Sequence, residues 1–348
     1  MNTRAATTRS SASAYRLAGI GILAVAAIVG VVAALIVGGG AAPLLLQDPG
    51  PFVMWATPIV KLTMNVAAAA MLGSLVLALF ALKSGEKPFD TALNIASIGA
   101  AVFTISAGFT AFLTFMAAFN PQLSIEREFG AQLGRYLLET ALGQSWLITT
   151  IFGSVITVLA FAWRTWTPTL ITALLAAASF LPLATQGHSG DLAGHTVAVN
   201  SILLHTIGAA VWLGGLLLIV LLRGRDGVDG AQLVRRYSSL AIAAFFVVAI
   251  SGVARSVVAL GDWSQLATPY GAILLAKVVL LGGMGLLGAW YRARLIPKLD
   301  GPRASAWFWM LVLCEVALMG LASGAAAALA RTPPPTGEEA AFAPPPRC

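Results

Sequence analysis

Charge is what this sequence has least of: Asp, Glu, Lys and Arg make up 10% of its 348 residues, against 58% for the hydrophobic types. Too little polar surface is available to cover that apolar mass, which excludes a water-soluble globular domain. Cysteine is also scarce. Cys314 lies within an apolar run and Cys348 is the last residue, so there is no CxxC pair and no disulfide framework. No P-loop, HExxH or GxSxG run occurs, which removes the usual support for nucleotide-driven pumping and for the common hydrolases. The chain reads as a non-enzyme without a nucleotide site. Its net charge of +7 comes from Lys and Arg scattered between apolar runs. That is a topology signal rather than a nucleic-acid footprint.

What fills the sequence is apolar runs. A hydrocarbon core of roughly 30 Å takes about 20 apolar residues of helix, and lipid offers nothing to an unpaired backbone, so runs of that length are helices. They cover about 17–38, 53–82, 91–119, 146–163, 169–185, 201–222, 238–260, 271–291 and 307–330. The expected fold is all-α, a polytopic transmembrane bundle of about nine spans. Residues 1–16 form an N-terminal segment, 17–330 the bundle and 331–348 a tail. The first run is long for a signal-peptide core and reads as a retained anchor.

Counting positive charge by side orients the bundle. An N-terminus in the cytoplasm puts Arg4, Arg9, Arg16, Lys83, Lys87, Arg164, Arg223, Arg225, Arg235, Arg236, Arg292, Arg294, Lys298 and Arg303 inside. Arg127, Arg135, Arg331 and Arg347 are left outside. The bias predicts N-terminus in, C-terminus out. Between the third and fourth spans, SIEREFGAQLGRYLLETALGQ mixes charge with Ile125, Phe129, Leu133 and Leu137, which predicts a helix lying at the external surface. The ending TPPPTGEEAAFAPPPRC predicts an extended linker.

All three histidines fall in one piece, HSGDLAGHTVAVNSILLH, as His188, His195 and His205. The charge-derived topology puts the whole piece at the external side. His195 and His205 are ten residues apart, roughly 15 Å on a straight helix, too far to share one metal with bonds near 2 Å. They need a break between them or separate partners. The glycines around Asp191 allow His188 and His195 to approach each other, with His205 about one turn below the membrane boundary. Imidazole suits copper and thioethers suit Cu(I), so Met54 and Met116, at the external ends of their spans, join Asp191 as candidate ligands. Ionisable residues inside a membrane are functional candidates. Lys61, Arg255 and Lys277 fall in the external halves of their spans, and Glu315 lies near the middle of the last. Adjacent spans and long side chains allow a Lys277–Glu315 pair. The three cations would repel an incoming copper ion or, alternatively, would neutralise haem propionates.

Several pieces then carry a resemblance: GH at Gly194 and His195, His205 followed by VWLGGL (211–216), RRYS (235–238), SGVAR (251–255), ATPYGAILLAKVVLL (267–281), GAWYRARLIP (288–297) and Glu315. In this order they resemble the bacterial copper resistance protein D (CopD) family, most strongly over residues 187–334. Trp290 departs from the family pattern, which has a polar residue there. The resemblance implies a multi-pass protein of the bacterial cytoplasmic membrane that handles copper, beside an external copper-binding protein of the CopC type. Some actinobacterial relatives of this length continue into a cytochrome c oxidase assembly domain, which gives the external tail a partner. Copper is the expected metal and haem the alternative cofactor. The expectation is a protein that accepts copper externally for uptake or delivery, with a haem-binding redox protein or a non-transporting assembly scaffold as the other readings.

Overall fold

The computed structural model describes residues 2–40, 49–185, 192–225, 227–295 and 304–332. The described residues are helical, without strands, and nine of their helices are long and apolar enough to cross a membrane. In chain order these are α1 (Asn2–Val37), α2 (Gly50–Ala81), α3 (Lys87–Phe119), α4 (Arg127–Glu139), α5 (Ala141–Ala162), α6 (Trp166–Ala178), α7 (Leu181–Ala184), α8 (Leu192–Leu222), α9 (Gly230–Leu260), α10 (Pro269–Arg294) and α11 (Ala304–Leu329). A short break at Ser179 and Phe180 joins α6 and α7 into one span, Trp166–Ala184. A 3₁₀ turn, Trp263–Ala267, links α9 to α10.

In lipid, helices associate through close packing and hydrogen bonding rather than through the hydrophobic effect, so small residues mark the contacts. α2 and α8 are the inner pair and the most buried of the spans, while α10 is the most exposed and forms the rim. They cross at Gly73 and Gly214, where a Cβ on Gly73 would meet the Gly214 Cα at 2.5 Å. α1 lies along α11 in the same manner, Gly30 against the Leu321 carbonyl. α3 packs between α2 and α5, and α9 against α8. Three buried hydroxyls are satisfied locally: Thr57, Thr110 and Thr149 each donate to the carbonyl four residues earlier at 2.7 Å, so these leave no orphaned polar group.

At the arginine-rich face, guanidinium groups reach helix ends. Arg236 donates to the Phe80 carbonyl at 2.8 Å and Arg16 to the Arg223 carbonyl at 3.1 Å, near the C-termini of α2 and α8, where a cation meets the negative end of the helix dipole. At the opposite face α4 caps α3. The Tyr136 hydroxyl and Thr114 Oγ1 are 2.8 Å apart, and Phe115 packs on Phe129 and Tyr136 at 5.6 Å. Phe129, Leu133 and Leu137 are partly covered as the amphipathic pattern predicts, but Ile125 precedes the helix and is fully exposed. Residues 333–348 of the tail lie outside the described residues.

Candidate functional site

α8 runs unbroken from Leu192 to Leu222 and carries both His195 and His205. The two histidines are therefore about 15 Å apart along one axis and do not meet at one ion. His188 and Asp191 lie outside the described residues, and of His195 only the backbone is described. The helix also begins earlier than the hydropathy suggests. His205 lies 13 residues after Leu192, where the helix starts, about 20 Å along the axis.

His205 is half-buried against α9. Its Nδ1 is 3.1 Å from the Val248 carbonyl and 3.4 Å from Ser251 Oγ, and the Ser251 hydroxyl itself donates to the Val247 carbonyl. A carbonyl can only accept, so Nδ1 carries the proton. The remaining nitrogen, Nε2, then keeps a bare lone pair, the form in which imidazole binds a metal. Gly252 leaves room for the ring, since a Cβ there would sit 3.4 Å from its Cε1. Lys277 of α10 is the charged group that acts on this imidazole, so a cation at Nε2 would bind within reach of an ammonium.

The Lys277–Glu315 pair expected from sequence is not formed. Among the described residues the ion pair is Lys83–Glu86, at 4.0 Å. Glu315 instead accepts a hydrogen bond from Trp212 Nε1 at 3.2 Å, because Trp212 on α8 faces α11 at the same depth while Lys277 is turned toward His205. Arg255 is half-buried near Tyr270. Lys61 sits 5.9 Å over the ring of buried Trp146 and feels Arg331 as its charged neighbour. Met54 is buried and Met116 half-buried, both at the end of the bundle that carries the α8 N-terminus. Pro58, within α2, has no N–H to give the Met54 carbonyl four residues earlier, so that position offers an oxygen beside its thioether. No group of three or more His, Cys, Asp or Glu side chains gathers among the described residues, so a copper site here would draw on methionines or on residues outside them.

Sequence reasoning missed the surroundings of Glu315. A cavity of about 530 Å³ lies among α8, α9, α10 and α11, with Glu315 at its inner end and Trp212, Tyr237, Phe245, Tyr291 and Phe308 among its walls. Tyr237 donates to the Trp212 carbonyl at 3.1 Å, and Trp212 packs edge-on against Phe245 at 5.7 Å. The signal was present as motif pieces: VWLGGL holds Trp212, RRYS holds Tyr237, and GAWYRARLIP holds Tyr291. SGVAR and ATPYGAILLAKVVLL supply Ser251 and Lys277 around His205. The quoted pieces thus close around two places, one at His205 and one at Glu315.

Nine apolar spans among the described residues, with a half-buried histidine and a half-buried acid between them, define a multi-pass helical membrane protein. Residues 46–199 match the copper resistance protein D-like N-terminal domain, and residues 231–329 match copper resistance protein D. The inner membrane protein YebZ of Escherichia coli (strain K12) is 30% identical over 194 residues, covering 53% of this chain and 67% of that protein. The chain belongs to the copper resistance protein D family, and like that relative it is an inner-membrane protein. No solved structure matches it.

Proposed function

We propose that this protein is a copper carrier, not an enzyme, that takes copper at the face bearing the α8 N-terminus and passes it across the membrane or to a partner. The observation that carries the reading is His205, whose Nδ1 proton is committed to the Val248 carbonyl, leaving Nε2 as a ready ligand. His188, His195 and Asp191 form an outer acceptor group, and Met54 and Met116 add thioethers suited to Cu(I). The positive-inside bias supports placing this face outside, with the N-terminus in and the C-terminus out. An external copper-binding protein of the CopC type would deliver the ion, and the tail from residue 333 would dock an oxidase assembly partner.

The test is Cu(I) affinity of the detergent-purified full chain, measured by competition with a chromophoric chelator. His205→Asn keeps a donor near the Nδ1 position and removes Nε2, so it should retain the fold and bind copper at least about tenfold more weakly. A variant with His205→Asn, His188→Ala and His195→Ala that binds like the wild type would overturn the proposal. An intense near-ultraviolet absorption band in the purified protein would replace copper with haem.

A further inference from the structure

The cavity at Glu315 does not have the shape of an ion site. At about 530 Å³ it falls in the range of pockets that hold organic molecules, about 300–1,000 Å³. Its inner end presents an acceptor. One carboxylate oxygen of Glu315 is held by Trp212 Nε1, while the other has no hydrogen-bond partner among the described residues, and the side chain lines the cavity. The Tyr291 hydroxyl on the same cavity wall likewise has no hydrogen-bond partner among the described residues. A purely hydrocarbon occupant would leave these groups unanswered in a low-dielectric setting, and an anionic head would meet a carboxyl. What fits is a donor.

The walls narrow the class further. Trp212, Tyr237, Phe245 and Phe308 surround the space with aromatic faces and edges, which favours a flat ring between them. The cavity also opens sideways. Ile242 and Phe246 on α9 and Gly288 and Ala289 on α10 line it and are at the same time exposed on the outside of the bundle. α9 and α10 touch where Gly285 meets the Phe245 ring, to which a Cβ would come within 3.0 Å, and the opening lies on the arginine side of that contact. Its mouth faces lipid, so the ligand arrives from the bilayer. A phospholipid headgroup fits poorly, because Arg292 at the mouth already gives Nε and Nη2 to Ser238, at 3.3 and 2.6–2.8 Å.

We propose that this cavity binds the ring of a lipid-soluble hydroquinone, one hydroxyl donating to Glu315 and the other meeting Tyr291, with its tail leaving between α9 and α10. The proposal concerns a site separate from the copper ligands and stands whether or not His205 binds copper.

The test uses the full chain in nanodiscs, titrated anaerobically with a decyl-substituted benzohydroquinone and with its dimethyl ether, which keeps the ring and lacks both donors. Quenching of tryptophan fluorescence reads occupancy. Saturable binding of the hydroquinone is expected, with the ether at least about tenfold weaker. Glu315→Leu should weaken the hydroquinone by about the same factor. Gly288→Leu, at a position with nothing within 4 Å of an added Cβ, should block the opening without touching the acceptor, and it decides the matter if Glu315→Leu fails to fold. Equal binding of hydroquinone and ether, wild-type binding by the Gly288→Leu variant, or a phospholipid retained one per chain and not displaced by the hydroquinone would each overturn it.

Discussion

Replacing Gly73 by Ala adds one methyl group at the point where α2 and α8 come closest. That carbon would meet the Gly214 Cα at 2.5 Å, the Gly214 carbonyl carbon at 2.6 Å and the Gly215 nitrogen at 2.7 Å. All three are backbone atoms and no rotamer change can move them. Ordinary carbon contacts lie near 3.5–4.0 Å, so relief requires the two helices to separate by about 1 Å. A gap of that size forfeits roughly a quarter to a half of each dispersion contact across the crossing, and overpacking of this kind costs about 1–3 kcal/mol. Alanine returns up to about 1 kcal/mol through helix propensity. The net expectation is a loss of about 1–2 kcal/mol. Reversible unfolding in mixed detergent micelles measures it, with Gly282→Ala as the control, since an added Cβ there has nothing within 4 Å and should be neutral or slightly stabilising. A Gly73→Ala protein as stable as the Gly282→Ala protein would refute the close crossing and the inner position of α2 and α8.

Other outcomes follow from single groups. Burial raises the Tyr136 phenol above its usual range, partly offset by the Thr114 hydrogen bond. The folded state therefore holds this proton more tightly than the unfolded state, and the associated stability is lost as pH rises past about 10. Tyr136→Phe should remove that alkaline component and cost about 1 kcal/mol at neutral pH, read from unfolding curves at several pH values. Asp229 accepts from the Ala231 and Gln232 amides at 3.1 and 2.9 Å, so Asp229→Ala should cost about 1 kcal/mol and raise amide hydrogen exchange in the first turn of α9. The exposed Asp262 carboxyl is held below its usual range by Ser264. Its hold on the turn before α10 should weaken as pH falls below the normal carboxyl range, visible as faster exchange at Ser264.

The spans were legible because lipid allows an apolar run of that length only one local structure. Where sequence and structure part, polar residues are the cause. Ser201 marks the expected start of the sixth span, yet α8 begins at Leu192, since Ser201 satisfies itself on the Ala198 carbonyl at 3.0 Å and does not interrupt the helix. α9 similarly starts at Gly230, capped by Asp229, well before the apolar run at Ser238. Single candidates such as His205, Lys277 and Glu315 could be picked out because ionisable groups are conspicuous in an apolar run. Their partners could not. Glu315 finds Trp212 across 103 positions of chain, and hydropathy carries no record of which face of α8 turns toward α11. Tyr237 and Tyr291 stand in two separate pieces of the chain, RRYS and GAWYRARLIP, and only packing brings them to one cavity.

An imidazole-bearing copper site at the α8 face is read most plainly by X-ray absorption of the Cu(I)-loaded, purified chain. The predicted first shell mixes imidazole nitrogen with thioether sulfur and loses imidazole scattering in the His205→Asn variant. A shell unchanged by that substitution, or a chain that retains no copper, would contradict it.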